Sequence, residues 1–337
     1  MNPAHFPGQR SKMLAESLSS PAPVLGIDIG GTKLAAGVVA PGGHLLSYSR
    51  GLTPKGTNGQ ELLQAVIAHA KSAIDDSSTP PVAVGIGCGG PIFLERDTVS
   101  PLHMPAWREF ALRPTIEEAL GLPAVLDNDA KAFALGEALY GAGRAAACML
   151  GMVVSTGIGG GIVVKGRLLD GAHGNGGHIG HIIVSQRGPL CFCGAVGCVT
   201  AYASGRGLSA RANRALKRGA ESVLSALPSE AITGQAVAEA AAAASDKLAA
   251  RLFNDAASAL GRAIASAANT LDLDRVVLGG GQLQAGDLLM VPLERELRRR
   301  ARLAFSRRVE LRTAELGPQS GVMGAASLIL QHWPVAI

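Results

Sequence analysis

Val24-Leu-Gly-Ile-Asp-Ile-Gly-Gly-Thr-Lys-Leu-Ala-Ala-Gly-Val-Val39 is the stretch on which the fold turns. Two apolar runs, Val24–Ile29 and Leu34–Val39, flank a Gly-Gly-Thr-Lys turn and read as a β-hairpin. Glycines at Gly30 and Gly31 let backbone N–H groups approach phosphate oxygens. Thr32 adds a hydroxyl donor and Lys33 a charge, and Asp28 suits Mg²⁺, directly or through water. The loop lacks the G-x-x-x-x-G-K-[ST] spacing of a Walker motif. It is not a dinucleotide fingerprint either, because its glycines lie between two strands instead of opening a helix. Alone, a Gly-Gly turn is more often just a hairpin. Here the pattern recurs about 125 residues later: Ala146–Ser155 and Gly161–Lys165 read as strands around a Gly157–Gly161 turn. This second loop, Ser155-Thr-Gly-Ile-Gly-Gly-Gly161, offers Thr156 and Gly157 to phosphate. A third cluster, Gly279-Gly280-Gly281, follows the strand Arg275–Leu278 and suits close contact with a base and ribose.

Between the hairpins the periodicity gives further elements. His44–Gly51 reads as a third strand, and Gln60–Ile74 has helical spacing of its apolar residues. Val82–Gly87 reads as a buried strand, Pro114–Leu120 as a helix, Pro123–Asp127 as a strand and Ala130–Tyr140 as a helix. Residues 170–205 look irregular, Gly205–Ala267 mostly helical, Val309–Thr313 a strand and Gly321–Gln331 a closing helix. Residues 1–23 read as a tail with one short helix around Lys12–Leu18. A duplicated α/β lobe is the economical reading, with a ligand cleft between the halves.

Composition narrows the class. The 337 residues suit two domains, and 47% hydrophobic with 17% charged residues leaves room for a large core. The 44 glycines favour tight turns, and only 4% aromatics argue against a nucleic-acid surface built on stacking. The net charge of +5 is mild, and its densest contributor, Glu296-Leu-Arg-Arg-Arg-Ala-Arg-Leu303, reads as a solvated helix face. No apolar stretch reads as a signal peptide or membrane span. Three of the five cysteines fall in Cys191-x-Cys193-x₄-Cys198, a spacing that favours a metal over disulfides and fits a reducing cytoplasm. Structural zinc takes four N or S ligands, and His181 lies ten residues upstream of the first of these thiols. The alternative is three reduced surface cysteines. Cys88 and Cys148 lie in apolar strands and read as core.

Asp129 follows a buried strand, where a side chain is held well enough to take a proton in phosphoryl transfer. Equally, it precedes a helix and suits an N-cap. The residues alone leave both readings open.

Taken together, Gly26-Ile-Asp-Ile-Gly-Gly-Thr-Lys33, Gly85-Ile-Gly-Cys-Gly-Gly-Pro91, Asp127-Asn-Asp-Ala130, Ser155–Gly161, Gly180-His181, Cys191-Phe-Cys-Gly-Ala-Val-Gly-Cys198, Tyr202-Ala-Ser-Gly205 and Val277–Gly281 resemble the ROK family (repressors, open reading frames and kinases). The resemblance runs from about residue 24 to the C-terminus. It implies an α/β fold of two RNase H-like lobes of the actin, hexokinase and Hsp70 superfamily, with an interlobe cleft. The expected lobes are residues 24–130 plus about 316–337, and residues 131–315 with a zinc-binding segment at 170–205. The resemblance implies Asp129 as catalytic base and Asn128 and Gly90 as sugar contacts. It also implies His181, Cys191, Cys193 and Cys198 as structural zinc ligands, with His181 facing the sugar as well. ATP with Mg²⁺ is the implied donor, and a homodimer or homotetramer the implied assembly.

The chain departs from the family's usual pattern in three places. The family's Glu-x-Gly-His reads His178-Ile-Gly-His181, and its Cys-x-Glu reads Cys198-Val-Thr200. His103, in His103-Met-Pro-Ala-Trp107, occupies a third sugar-side position that is commonly Asn. A carboxylate accepts from two adjacent hydroxyls, whereas a neutral imidazole accepts at one nitrogen and donates at the other. The expectation is a cytoplasmic ATP-dependent kinase acting on a hexose or N-acetylhexosamine, at the 6-hydroxyl, either with altered sugar specificity or with His103 and His178 simply filling space and glucose still accepted. The rival readings are a non-catalytic sugar sensor and a transcriptional regulator without a DNA-binding domain. No nucleic-acid or membrane partner is expected.

Overall fold

The structure, a computed structural model, describes residues 7–18, 20–54, 56, 58–93, 97–102, 104–243 and 245–333. Helix α1 (Pro7–Ser17) opens the described chain, within the segment read as a tail. Strands β1 (Val24–Ile29), β2 (Lys33–Val39) and β3 (Ser49–Leu52) follow, then α2 (Gly59–Asp75) and β4 (Val84–Cys88). Next come the short hairpin β5 (Ile92–Phe93) and β6 (Thr98–Val99), α3 (Leu112–Leu120), β7 (Ala124–Asn128) and α4 (Asp129–Tyr140). The second half runs β8 (Cys148–Val154), β9 (Ile158–Val164), β10 (Arg167–Leu168), α5 (Val199–Ala203), α6 (Gly205–Leu216), α7 (Gly234–Ala242) and α8 (Lys247–Leu271). It ends with β11 (Arg275–Gly279), α9 (Asp287–Arg300), β12 (Glu310–Thr313) and α10 (Ser320–Leu330). Two mixed five-stranded sheets result, ordered β3-β2-β1-β4-β7 and β10-β9-β8-β11-β12, so the class is α/β.

The contacts gather into two compact units. The first is Met1–Ala146 with Gly161–Gly177 and Ala314–Ile337, and the second is Ala147–Gly160 with His178–Thr313. In the first unit β1 pairs antiparallel with β2, while β1, β4 and β7 run parallel. Helix α10 packs across β1 and β4 and against α4, and α1 packs on α10 and β7. The close approach requires glycine in the strands. A Cβ at Gly26 would lie 2.2 Å from the Val322 carbonyl oxygen, and one at Gly85 would lie 1.8 Å from that of Ala325. On the other face, α2, α3 and the buried Trp107 cover a core of Leu25, Ile27, Ile86, Leu62 and Val66. Burying that apolar surface is the main drive to form the layer. The Trp107 indole N–H is satisfied by the Gly59 carbonyl at 2.9 Å.

In the second unit β11 lies between β8 and β12, parallel to both. The 25-residue α8, capped by Asp246, packs against α5, α7 and α9. Among the described residues no helix is long and apolar enough to cross a membrane.

Two local expectations shift. The strand read at His44–Gly51 narrows to Ser49–Leu52, because residues 40–46 close a tight turn. Its bonds run from Ala40 N to His44 O at 2.9 Å and from Gly43 N to Ala40 O at 2.8 Å. The glycine turn read at 157–161 is shorter, and Gly159, Gly160 and Gly161 belong to β9. Gly161 is there for packing rather than for a turn, since a Cβ would come within 2.8 Å of the Lys131 Cα on α4.

Candidate active site and metal centre

Three parallel strands of the first unit end side by side, with Ile29 opposite Cys88 and Cys88 opposite Asn128. Ligands of open α/β sheets bind outside such carboxyl ends. Asp28 and Asp129 project there, both half-buried. Asp28 lies against the first turn of α10, where a Cβ at Gly321 would stand 2.0 Å from its Oδ2. Burial, and next the charge of Asp129, push the Asp28 carboxyl up to about 7. Burial also raises the Asp129 carboxyl, against backbone hydrogen bonds that hold it down. Cys88, buried beneath both, is raised well above the ordinary thiol range by burial and then by the two carboxylates.

Asn128 is the N-cap of α4, its side chain accepting from Ala130 N at 3.1 Å. Asp129 is the first helical residue and accepts from the same N–H at 2.8 Å. Beside them run Gly89 and Gly90. A Cβ at Gly89 would lie 3.9 Å from Asp129 Oδ2, and one at Gly90 would lie 3.7 Å from Asn128 Nδ2. Backbone therefore lines this wall, which leaves room for a polyhydroxylated ligand. The Gly30–Lys33 turn is closed by Gly30 N donating to Lys33 O at 3.0 Å and by Thr53, whose hydroxyl donates to Gly30 O at 2.6 Å. Gly31 is partly covered, and the side chains of Thr32 and Lys33 are exposed at its tip.

In the second unit the ends of β8 and β11 carry another glycine-lined floor. Ser155 N donates to Gly157 O at 2.9 Å, closing the turn that bears the exposed Thr156. Gly205 N and Arg206 N, at the start of α6, donate to Ser155 O and Thr156 O. Gly279 ends β11, and Gly280 follows at φ 97°, where a Cβ would meet the Val154 carbonyl oxygen at 2.4 Å. Gly205 and Gly234 flank the Gln282 amide, each too close to carry a Cβ without displacing it. Bare backbone beside one amide suits a flat, hydrogen-bonding ring.

The same unit builds the candidate metal centre. Leu190 bridges Val196 and Ile183 bridges Cys198, forming a small knuckle. Gly194 N donates to Cys191 O at 2.9 Å, with Gly194 at φ 89°. His181, Cys191, Cys193 and Cys198 bring one ligand atom each to within 4.8 Å of one another. Cys193 Sγ lies 3.7 Å from Cys198 Sγ, and Cys191 Sγ lies 3.8 Å from His181 Nδ1. A tetrahedral zinc with bonds of about 2.3 Å to sulfur and about 2.0 Å to nitrogen spaces its ligands about 3.5–3.8 Å apart, so this donor set fits the ion. Burial, and then the His178 charge, hold His181 below the ordinary imidazole value, which favours the neutral ligand form.

Thr200, two residues beyond Cys198, is 2% exposed. Its hydroxyl has no hydrogen-bond partner among the described residues. His178 is exposed and stacks on His181 with ring centroids 6.1 Å apart. His103 lies outside the described residues. Thus Asp28, Gly90, Asn128 and Asp129 gather in the first unit, and Thr200, His178, His181 and the three thiols in the second.

Two polar arrangements escaped the sequence reading. Lys131, 1% exposed on α4, pairs with Asp127 at 2.7 Å and Asp170 at 3.1 Å, and donates to the Gly174 carbonyl. Glu137, fully buried, accepts the backbone N–H groups of Ala142, Glu315 and Leu316. The available signal was a single lysine and a single glutamate in a helix that is mostly apolar beyond Asp129.

A sequence profile described as the ROK family matches residues 24–332. The glucokinase of Halalkalibacterium halodurans is 36% identical over 316 residues, covering 91% of this chain and 95% of that protein. The N-acetylmannosamine kinase of Yersinia pseudotuberculosis is 34% identical over 304 residues, covering 90% and 96%. A ROK family glucokinase from Streptomyces griseus, solved in complex with glucose and AMPPNP, superposes with a TM-score of 0.74 at 34% identity. That match covers 91% of this chain and 99% of the solved one.

Proposed function

The chain belongs to the ROK family, and on that premise we propose that it is an ATP-dependent sugar kinase with Asp129 as general base. The observation that carries the reading is the half-buried Asp129 carboxylate beside Asp28, Asn128 and the bare Gly89-Gly90 backbone. A base works best with a pKa lifted toward the working pH, and burial lifts this one. In the reaction the sugar hydroxyl gives its proton to Asp129 Oδ. Its oxygen then bonds the γ-phosphorus as the bond to the β-phosphate oxygen breaks, releasing ADP. Mg²⁺, when bound with ATP, neutralises the charge that spreads over the transferring group. Asp28 is the residue proposed to hold it and would do so as the carboxylate, although burial lifts its carboxyl to about 7 in the ligand-free chain. Gly30, Gly31, Thr32, Lys33, Thr156 and Gly157 are the proposed phosphate contacts, and Gly279 and Gly280 the nucleoside side.

Glucose is the proposed default acceptor, at its 6-hydroxyl, supported by the named glucokinase relatives. A second acceptor class, the N-acetylhexosamines, is favoured by a specific observation. His178 and the unpartnered Thr200 hydroxyl stand where the family pattern has acidic residues. An N-acetyl group presents a donor and an acceptor, which imidazole and hydroxyl match better than paired carboxylates do. The proposed metal at His181, Cys191, Cys193 and Cys198 is structural zinc, because four protein ligands leave no open position for chemistry. ADP release is the test, measured with ATP–Mg²⁺ over glucose, mannose, glucosamine, N-acetylglucosamine and N-acetylmannosamine. Sugar-dependent release supports the kinase. Silence across the panel from zinc-loaded, folded protein supports the non-catalytic sensor instead.

A further inference from the structure

We propose that Arg10 is a positioning residue for the sugar side of the active site, acting from helix α1 through Asp97 on the hairpin that ends against Asn128 and Asp129. The proposal rests on the kinase reading for its functional consequence. Arg10 precedes residue 24, where the family match starts, so this contact lies outside the matched segment.

The linkage is continuous within the first unit. Arg10 Nη1 donates to Asp97 Oδ1 at 3.1 Å. Arg113 on α3 grips the same carboxylate in bidentate fashion, Nε to Oδ1 at 3.0 Å and Nη2 to Oδ2 at 2.7 Å. Arg113 is also drawn to Glu117, whose other oxygen accepts from Ala124 N at the start of β7 at 2.8 Å. Asp97 sits at φ 53°, in the left-handed region that Asp tolerates better than most residues. It immediately precedes β6, which pairs with β5 through Ile92 opposite Val99 and Phe93 opposite Thr98. From there the bonds run to the site: Ser100 N donates to Pro91 O at 2.9 Å, and Leu102 N to Gly90 O at 3.4 Å. Gly90 and Gly89 are the residues whose bare backbone faces Asn128 Nδ2 and Asp129 Oδ2.

Arg113 alone would tie this hairpin to α3. Arg10 adds a second anchor on α1, which packs on α10, the helix whose first turn meets Asp28. The hairpin is thereby referred to the same helix as the acidic pair. Both side chains of the Arg10–Asp97 pair are only about a quarter exposed, at 27% and 26%. A bidentate partner already orients the carboxylate, so the pair loses less side-chain entropy than an isolated surface pair.

Two measurements test this, chosen so that they fail separately from the kinase reading. The first is amide hydrogen exchange on the ligand-free full chain. Arg10→Ala should speed exchange at Ser100 and Leu102 by about fivefold, the scale of one partly exposed ion pair. Lys12→Ala, which removes an exposed pair on the same helix, should leave those amides unchanged. Equal exchange in Arg10→Ala and the parent overturns the linkage whatever the enzyme does. The second is steady-state kinetics on the sugar that the parent phosphorylates. Arg10→Ala should raise KM for the sugar about fivefold, with KM for ATP and kcat within twofold, and Arg10→Lys should recover part of the loss. Asp97→Asn should show the same split, and adding Arg10→Ala to it should add little. An unchanged sugar KM, or equal losses in both substrates, overturns the positioning role.

Discussion

Replacing Lys131 by Met perturbs a cation of the first unit that is almost fully buried. The ammonium is 1% exposed, Asp127 is 4% exposed at 2.7 Å, and Asp170 lies at 3.1 Å. At an effective dielectric constant of about 20 the closer pair alone attracts by about 6 kcal/mol, most of it offset by desolvation. Removing the cation leaves Asp127 buried beside an apolar thioether, with the Gly174 carbonyl also losing its donor. The expected loss is about 3–5 kcal/mol. Burial already pushes the Asp127 carboxyl upward against the pull of Lys131. Without Lys131 it should take up a proton on folding, so the variant should be less destabilised at pH 5 than at pH 8. Urea unfolding at both pH values measures this, with Lys131→Met, Asp127→Asn and the double variant forming a cycle. The double variant should recover at least half of the loss, because the uncompensated anion is gone. A Lys131→Met cost below about 1 kcal/mol, or no recovery in the double variant, would refute the argument that the cation compensates Asp127.

Other outcomes follow from the same geometry. Purified protein should carry one zinc per chain. Cys198→Ser should lose it and become protease-sensitive between residues 182 and 198, where the small cluster of Cys191, Cys198 and Ala195 packs with Ala201 of α5; metal-free protein with an unchanged melting temperature would contradict this. Asp28→Asn should raise the melting temperature of the ligand-free chain at pH 8 but not near pH 4. The folded Asp28 carboxyl sits at about 7 against an ordinary 3.8, so its protonated form supports the fold at low pH and that support fades as pH climbs through 7. A pH-independent gap between the two proteins would remove the case for a raised Asp28. Glu137→Gln should cost about 2 kcal/mol, because an amide cannot accept all three backbone N–H groups that the carboxylate now takes; a change within 0.5 kcal/mol would mean that other acceptors replace it.

Apolar runs and glycine placement made most strands of both sheets legible, while the two-residue β10 was too short to be read. Pro123–Asp127 followed by Ala130–Tyr140 differs from the observed β7 and α4 by a residue at each junction. That junction also placed Asn128 and Asp129 at a strand end, and the compact cysteine spacing foretold a cluster that the fold closes with His181. Periodicity could not show which side chains meet across long separations. Lys131 and Asp170 lie 39 positions apart, Arg10 and Asp97 lie 87 apart, and Glu137 reaches Leu316 across 179. Each is a polar residue whose partner is set by tertiary packing, so its sequence neighbourhood carries no trace of it. The N-cap reading of Asp129 turns on a local detail. Asn128 has the extended backbone and the side-chain bond of the N-cap, which leaves Asp129 as the first residue of the helix.

The most direct test of the account is sugar-dependent ADP release by the parent and by Asp129→Asn, each zinc-loaded, with glucose and N-acetylmannosamine as acceptors. The account predicts turnover by the parent on at least one of the two. It also predicts at least an about 100-fold lower kcat in the variant, with nucleotide and sugar binding retained. Full turnover by Asp129→Asn would remove the general base from the account, and a silent parent would remove the kinase.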